Sequence, residues 1–158
     1  MRVLGASLYL CAAVLVGCAS SPFEPEKTST PQGPGEGPTV TTPPVITVQV
    51  TPETLWAPNH KLVDIRATVA VSDICDPNPT FVLTSITVDE PDNGLGDGNT
   101  TGDVRQAAFG TPDTSFQLRS ERSGPGNGRV YTIRYTARDM AGNTASATAR
   151  VTVTHDRR

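Results

Sequence analysis

Residues 130–154 read VYTIRYTARDMAGNTASATARVTVT, and the fold follows from them. Tyr131, Ile133, Tyr135 and Ala137 alternate with Thr132, Arg134, Thr136 and Arg138, a period of two that a strand with one buried face produces. Ala145, Ala147, Ala149, Val151 and Val153 repeat the pattern after Asp139-Met140-Ala141-Gly142-Asn143, whose Asp, Gly and Asn suit a tight reversal. Two such runs around one turn predict an antiparallel hairpin with an apolar inner face.

Working back toward the N-terminus, the same periodicity returns in short pieces. Residues 45–50 (VITVQV) form a run that Pro52 ends. Over 61–73, Val63, Ile65, Ala67, Val69 and Val71 share one face against Asp64, Arg66, Thr68 and Ser72, which predicts a central strand. Further strands are predicted at 80–89, 104–109 and 115–121. Seven short strands separated by Pro, Gly and Asp turns, with no helical period, predict an all-β domain over 45–158. The architecture expected is a seven-stranded Greek-key immunoglobulin-like sandwich, with a small closed barrel as the competing arrangement.

The residues before Pro44 have another character. Residues 19–44 hold seven Pro and three Gly and scarcely any large apolar side chain, too little burial to offset ordering. They are expected to be a disordered, partly polyproline-II tether that reaches at most about 80 Å. Before it, Met1-Arg2 and the apolar run Val3–Val16 have the form of a signal peptide. As a helix that run would span about 21 Å, short of the ~30 Å a hydrocarbon core requires.

The residues Leu15-Val16-Gly17-Cys18 resemble a bacterial lipobox. The resemblance implies cleavage after Gly17, with residues 1–17 removed, and acylation of Cys18, which heads the linker 18–44. A triacylated cysteine would hold the protein on a membrane far more firmly than one chain does. Ala19 stands where Gram-negative lipoproteins kept at the inner membrane carry Asp, so the resemblance implies the outer membrane, with either face open. The closing stretch, with its D-x-x-G-N turn, and Ser72-Asp73-Ile74-Cys75 resemble bacterial immunoglobulin-like modules of the hyalin-repeat kind. Leu55–Lys61 and Arg119–Tyr131 are similar to parts of modules in bacterial secreted proteins. Such modules are extracellular spacers or adhesion units without catalysis. Ala147 lies near the place of the module's partner cysteine, so Cys75 is expected to be a lone, buried thiol.

Composition narrows the functional classes. With 13 Lys+Arg against 16 Asp+Glu and no basic cluster, the chain lacks the electrostatic footprint of a nucleic-acid binder. It also lacks G-x-S-x-G, H-E-x-x-H and phosphate-loop patterns. His60 and His155 have no second ligand at metal spacing and are expected to be surface or packing residues.

The segment 89–103 (DEPDNGLGDGNTTGD) carries five carboxylates and four glycines. Asp97 to Val104 follow the opening of a D-x-N-x-T-G calcium loop, with Ala108 where its closing Glu belongs. Asp92, Asp97, Asn99, Thr101 and Asp103 are the candidate ligands, and calcium is the one cofactor the sequence points to. Arg119, Glu121, Arg122 and the Gly-rich 123–128 segment read as a solvated hairpin, or as a surface for an acidic partner. The expected function is a non-catalytic envelope module whose partner is the membrane, through its anchor, and an envelope protein or glycan. A calcium-binding module and an accessory domain of a secreted hydrolase system are the alternatives.

Overall fold

The structure, a computed structural model, describes residues 41–94 and 96–155. The expected signal peptide, Leu15, Val16, Gly17, Cys18 and nearly all of the tether lie outside the described residues. The described part is all-β, with eight strands and no helix. They are β1 (Val45–Thr51), β2 (Thr54–Leu55), β3 (Leu62–Ser72), β4 (Thr80–Val88), β5 (Val104–Arg105), β6 (Ser115–Arg119), β7 (Gly128–Arg138) and β8 (Thr144–Thr154).

Two four-stranded sheets form, in the orders β1-β3-β6-β5 and β2-β8-β7-β4. All pairings are antiparallel except β2 with β8. The long hairpin has the register its alternation predicts: Tyr131 faces Val151, Ile133 faces Ala149, Tyr135 faces Ala147 and Ala137 faces Ala145. β3 is an interior strand, between β1 and β6.

All seven predicted segments contain a strand, and the eighth, Thr54–Leu55, is too short for a periodicity to announce. The 104–109 segment pairs only over Val104–Arg105. Gln106 adopts φ 57°, a left-handed conformation that turns the chain out of the ladder.

One apolar cluster joins the two sheets. Val50, Ile65, Phe116 and Leu118 come from the first, and Leu55, Leu83, Tyr131, Ile133, Tyr135, Val151 and Val153 from the second. Each residue follows the two-residue period of its strand, so both inner faces turn toward the same interior. The tyrosine rings are buried while their hydroxyls donate to the Arg119 and Asp113 carbonyls at 2.9 and 2.7 Å. Burial pushes both phenols up to about 12.

Strand register also sorts the connections into two ends. At one end, the 73–79 and 139–143 turns meet where the Met140 N–H donates to Asp76 at 2.7 Å. The chain enters β1 there, and the Asn143 amide donates to the Thr42 carbonyl at 3.4 Å. At the other end gather 56–61, 89–103, 120–127 and the residues after β8. Cys75 sits at the turn end, partly exposed and disulfide-bonded. That corrects the expectation of a lone buried thiol.

Candidate functional site

Period two along β7 places Arg129 on the same face as Tyr131, Ile133 and Tyr135, so its side chain runs inward at the mouth of the apolar core. It is fully buried. A guanidinium in that position needs several acceptors, and the 89–103 segment supplies them. Arg129 Nε donates to Glu90 Oε2 at 3.0 Å and Nη2 to the Pro91 carbonyl at 3.1 Å. Nη1 is bonded to Asp103 Oδ2, and Asp97 Oδ2 lies 3.5 Å from Nη2.

The loop thus folds around an internal cation supplied by the chain itself. Asp97 and Asp103 are buried at 1% and 2% exposure. Glu90 also accepts from the Ser123 N–H at 2.8 Å, which joins the 120–127 segment to the same centre.

Each candidate calcium ligand has a definite place in this arrangement. Asp92 accepts from the N–H groups of Gly102 and Asp103 at 2.8–3.0 Å. Those two backbone bonds hold its carboxyl below the usual range. Asp97 accepts from the Gly94 N–H and, at 3.3 Å, from the Asn99 N–H. Asn99 itself adopts φ 60°. Thr101 presents its carbonyl to Arg119 Nη2 at 2.9 Å and Arg105 Nη2 at 3.4 Å. Asp103 is pushed up to about 6, because burial and the neighbouring acids Asp92 and Glu121 outweigh the attraction of Arg129. Among the described residues, no group of three or more His, Cys, Asp or Glu side chains is arranged to hold a metal ion.

A third buried acid serves the neighbouring segment. Glu121 has no exposed surface, and its Oε2 lies 2.8 Å from His60 Nδ1. The His60 side chain is 46% exposed. Its backbone adopts φ 61°, and its N–H donates to the Ser120 carbonyl at 2.9 Å. Gly98 stands against the ring: a Cβ there would lie 2.5 Å from His60 Cε1, and its φ of +98° also excludes other residues. Arg119 closes the assembly, with Nη1 donating to the His60 carbonyl at 2.8 Å and Nε 3.4 Å from Asp103 Oδ1. Trp56, 47% exposed, projects from the same segment as His60.

Arg119, Glu121 and Arg122 were expected on a solvated hairpin. Glu121 is instead buried, Arg119 is 13% exposed, and Arg122 donates to the carbonyls of Ser123 and His155 at 2.9 and 3.3 Å. The sequence reading gave Glu90 and Arg129 no role, and His60 only a packing or surface one. A signal for Arg129 existed: carrying the inner-face alternation back two residues from Tyr131 lands on it. The contact between His60 and Glu121 joins residues 61 apart and has no local signature.

The arrangement provides a loop platform whose buried charged groups are paired with one another or bonded to the backbone, with Trp56 and His60 at its surface. Comparison of the chain with protein-family models, with curated proteins and with solved structures finds no match.

Proposed function

We propose that this chain is a lipid-anchored protein of the bacterial cell envelope, sorted to the outer membrane, that carries one non-catalytic immunoglobulin-like module on a Pro-rich tether. The observation that carries the proposal is the sequence Leu15-Val16-Gly17-Cys18 directly after the apolar run Val3–Val16. The immunoglobulin-like, Greek-key reading is supported by strand order. With β1, β3, β5 and β6 taken as A, B, D and E, the first sheet reads A-B-E-D. With β4, β7 and β8 as C, F and G, the second reads C-F-G, and β2 joins G as a parallel segment of A. The bond from the Tyr131 hydroxyl to the Arg119 carbonyl is similar to the tyrosine corner of such folds.

The module's work is to contact an envelope protein or glycan. Support comes from the position of the loop platform, at the end opposite the one where the chain enters β1, so that a tether would present it outward. The buried acids and arginines are committed to holding loops, which suits recognition by shape better than proton transfer.

Acylation is read directly by intact mass and membrane fractionation. The proposal expects a mature chain that begins at Cys18 with three acyl groups, and release into the soluble fraction by Cys18→Ala. A thioether leaves the Cys18 sulfur unable to form a disulfide, so a mature chain whose Cys18 is unacylated or disulfide-bonded would overturn the anchor. Recovery of the partner on immobilised protein is expected to fall at least about tenfold with Trp56→Ala, a loss typical of an aromatic anchor in an interface.

A further inference from the structure

Among the described residues, five large apolar side chains stand exposed, and they are unevenly placed. Trp56 is at the loop end, and Phe109 lies beside β4, where the Leu83 N–H donates to the Thr111 carbonyl at 2.8 Å. The three most exposed, Met140 at 85%, Ile74 at 78% and Val45 at 64%, are all at the turn end. Ile74 and Met140 project from the 73–79 and 139–143 turns, which the bond from the Met140 N–H to Asp76 joins. Val45 stands opposite Ser72, at the foot of the first of these turns.

The acids of the two turns do not offset this apolar character, because they face their own backbone. Asp76 and Asp139 are buried, and Asp73 accepts from the N–H groups of Cys75 and Asp76. The same end receives the chain: the Asn143 amide donates to the Thr42 carbonyl at 3.4 Å, which puts the start of the domain beside the Met140 turn. Upstream of Thr42 the sequence leads back to Cys18.

We propose that the turn end rests on the bilayer that holds the Cys18 acyl groups, with Val45, Ile74 and Met140 entering its headgroup–acyl boundary. The inference rests on the lipid-anchored reading of the chain. An anchor makes the encounter with the bilayer intramolecular, at an effective concentration of about millimolar for a flexible link, so three side chains too few to hold a free protein suffice. The side chains stand on loop tips, which lipid accommodates without a preformed pocket. The contact is apolar, so salt leaves it unchanged. It holds the loop platform, with Trp56, on the side away from the membrane.

Trp56 is the single tryptophan of the chain and marks the far end, which supplies the control. The test places full-length acylated protein in phosphatidylcholine vesicles in which part of the lipid carries bromine, a contact quencher of indole emission. The emission of the parent should be unaffected. Met140→Trp with Trp56→Phe puts the fluorophore on the tip, and its emission should shift to the blue and fall at least about twofold, as for an indole buried about 5–10 Å into the boundary. Adding Ile74→Asp should reverse the quenching, while the acyl groups keep the protein with the membrane. Far-ultraviolet circular dichroism identical to that of the parent shows that each variant is folded. An acylated protein whose tip indole is unquenched, or is quenched regardless of Ile74→Asp, overturns the proposal and leaves the anchor standing. A blue shift without quenching also overturns it and places protein rather than lipid over the tip. Equal quenching of Trp56 in the parent does so as well, and a chain without acyl groups overturns the anchor and this contact together.

Discussion

The two ends of the domain are closed by different physics. At the turn end, the loops are short and most of their bonds are local, apart from the links of Met140 to Asp76 and of Asn143 to Thr42. Asp73 accepts from the N–H groups of Cys75 and Asp76, both at 2.8 Å, and Asp139 accepts from the backbone and side chain of Asn143, both at 2.7 Å. Burial would raise the Asp139 carboxyl, but the Asn143, Gly142 and Ala141 donors overcome it and hold it low. At the loop end, three segments far apart in sequence meet on a buried guanidinium and on a buried Glu121 that is paired with the half-exposed His60. Local turns tolerate the loss of one bond, because neighbouring donors reach water. A buried ionic centre does not, because removing one partner leaves uncompensated charge in a low dielectric.

That contrast is sharpest for Arg129→Met. The substitution keeps most of the apolar stem but removes the guanidinium, which leaves Glu90, Asp97 and Asp103 facing one another. We expect a loss of about 3–5 kcal/mol, the range for breaking a buried ionic group, read as a lower midpoint in thermal unfolding. At the turn end, Asp76→Ala removes the acceptors for Met140 and Asn78. It should cost about 1.5–3 kcal/mol, the range for hydrogen bonds to a charged group. If Asp76→Ala proved the costlier of the two, the ranking of the ends would be reversed.

The pH dependence is a smaller effect and differs in sign from ordinary acid denaturation. The carboxyl of Asp103 is raised to about 6 in the folded protein, against 3.8 for an unperturbed Asp. The folded state therefore binds its proton more readily than the unfolded chain does. The resulting stabilisation is complete below about 4 and is lost as pH rises through about 6. Asp92, held low by its backbone donors, acts oppositely, and its contribution disappears as pH falls below the usual carboxylate range. The midpoint should rise from pH 7 to about pH 4–5 and then fall. Asp103→Asn should flatten the rise between neutral and weakly acidic pH, and a parent midpoint that falls steadily from pH 7 would contradict the assignment.

The strands were legible because each carries its burial in a two-residue period, most clearly at Tyr131, Ile133, Tyr135 and Ala137. β2 was hidden between Pro52 and Pro58, where two residues give no period. The acid-rich loop was visible as composition, while its organising centre was not. Arg129 follows a Gly-Asn-Gly run that reads as solvated, and its partners Glu90, Asp97 and Asp103 lie 26–39 residues away. A sequence shows that carboxylates are gathered, but whether a bound ion or a distant arginine neutralises them is decided by tertiary contact.

Amide hydrogen exchange over residues 89–103, with EDTA and then with millimolar calcium, tests that centre most directly. The account predicts slow exchange at the Gly102 and Asp103 N–H groups bonded to Asp92, unchanged by calcium and accelerated by Arg129→Met. Fast exchange in EDTA that becomes slow only when calcium is added would contradict it and assign the loop to the ion.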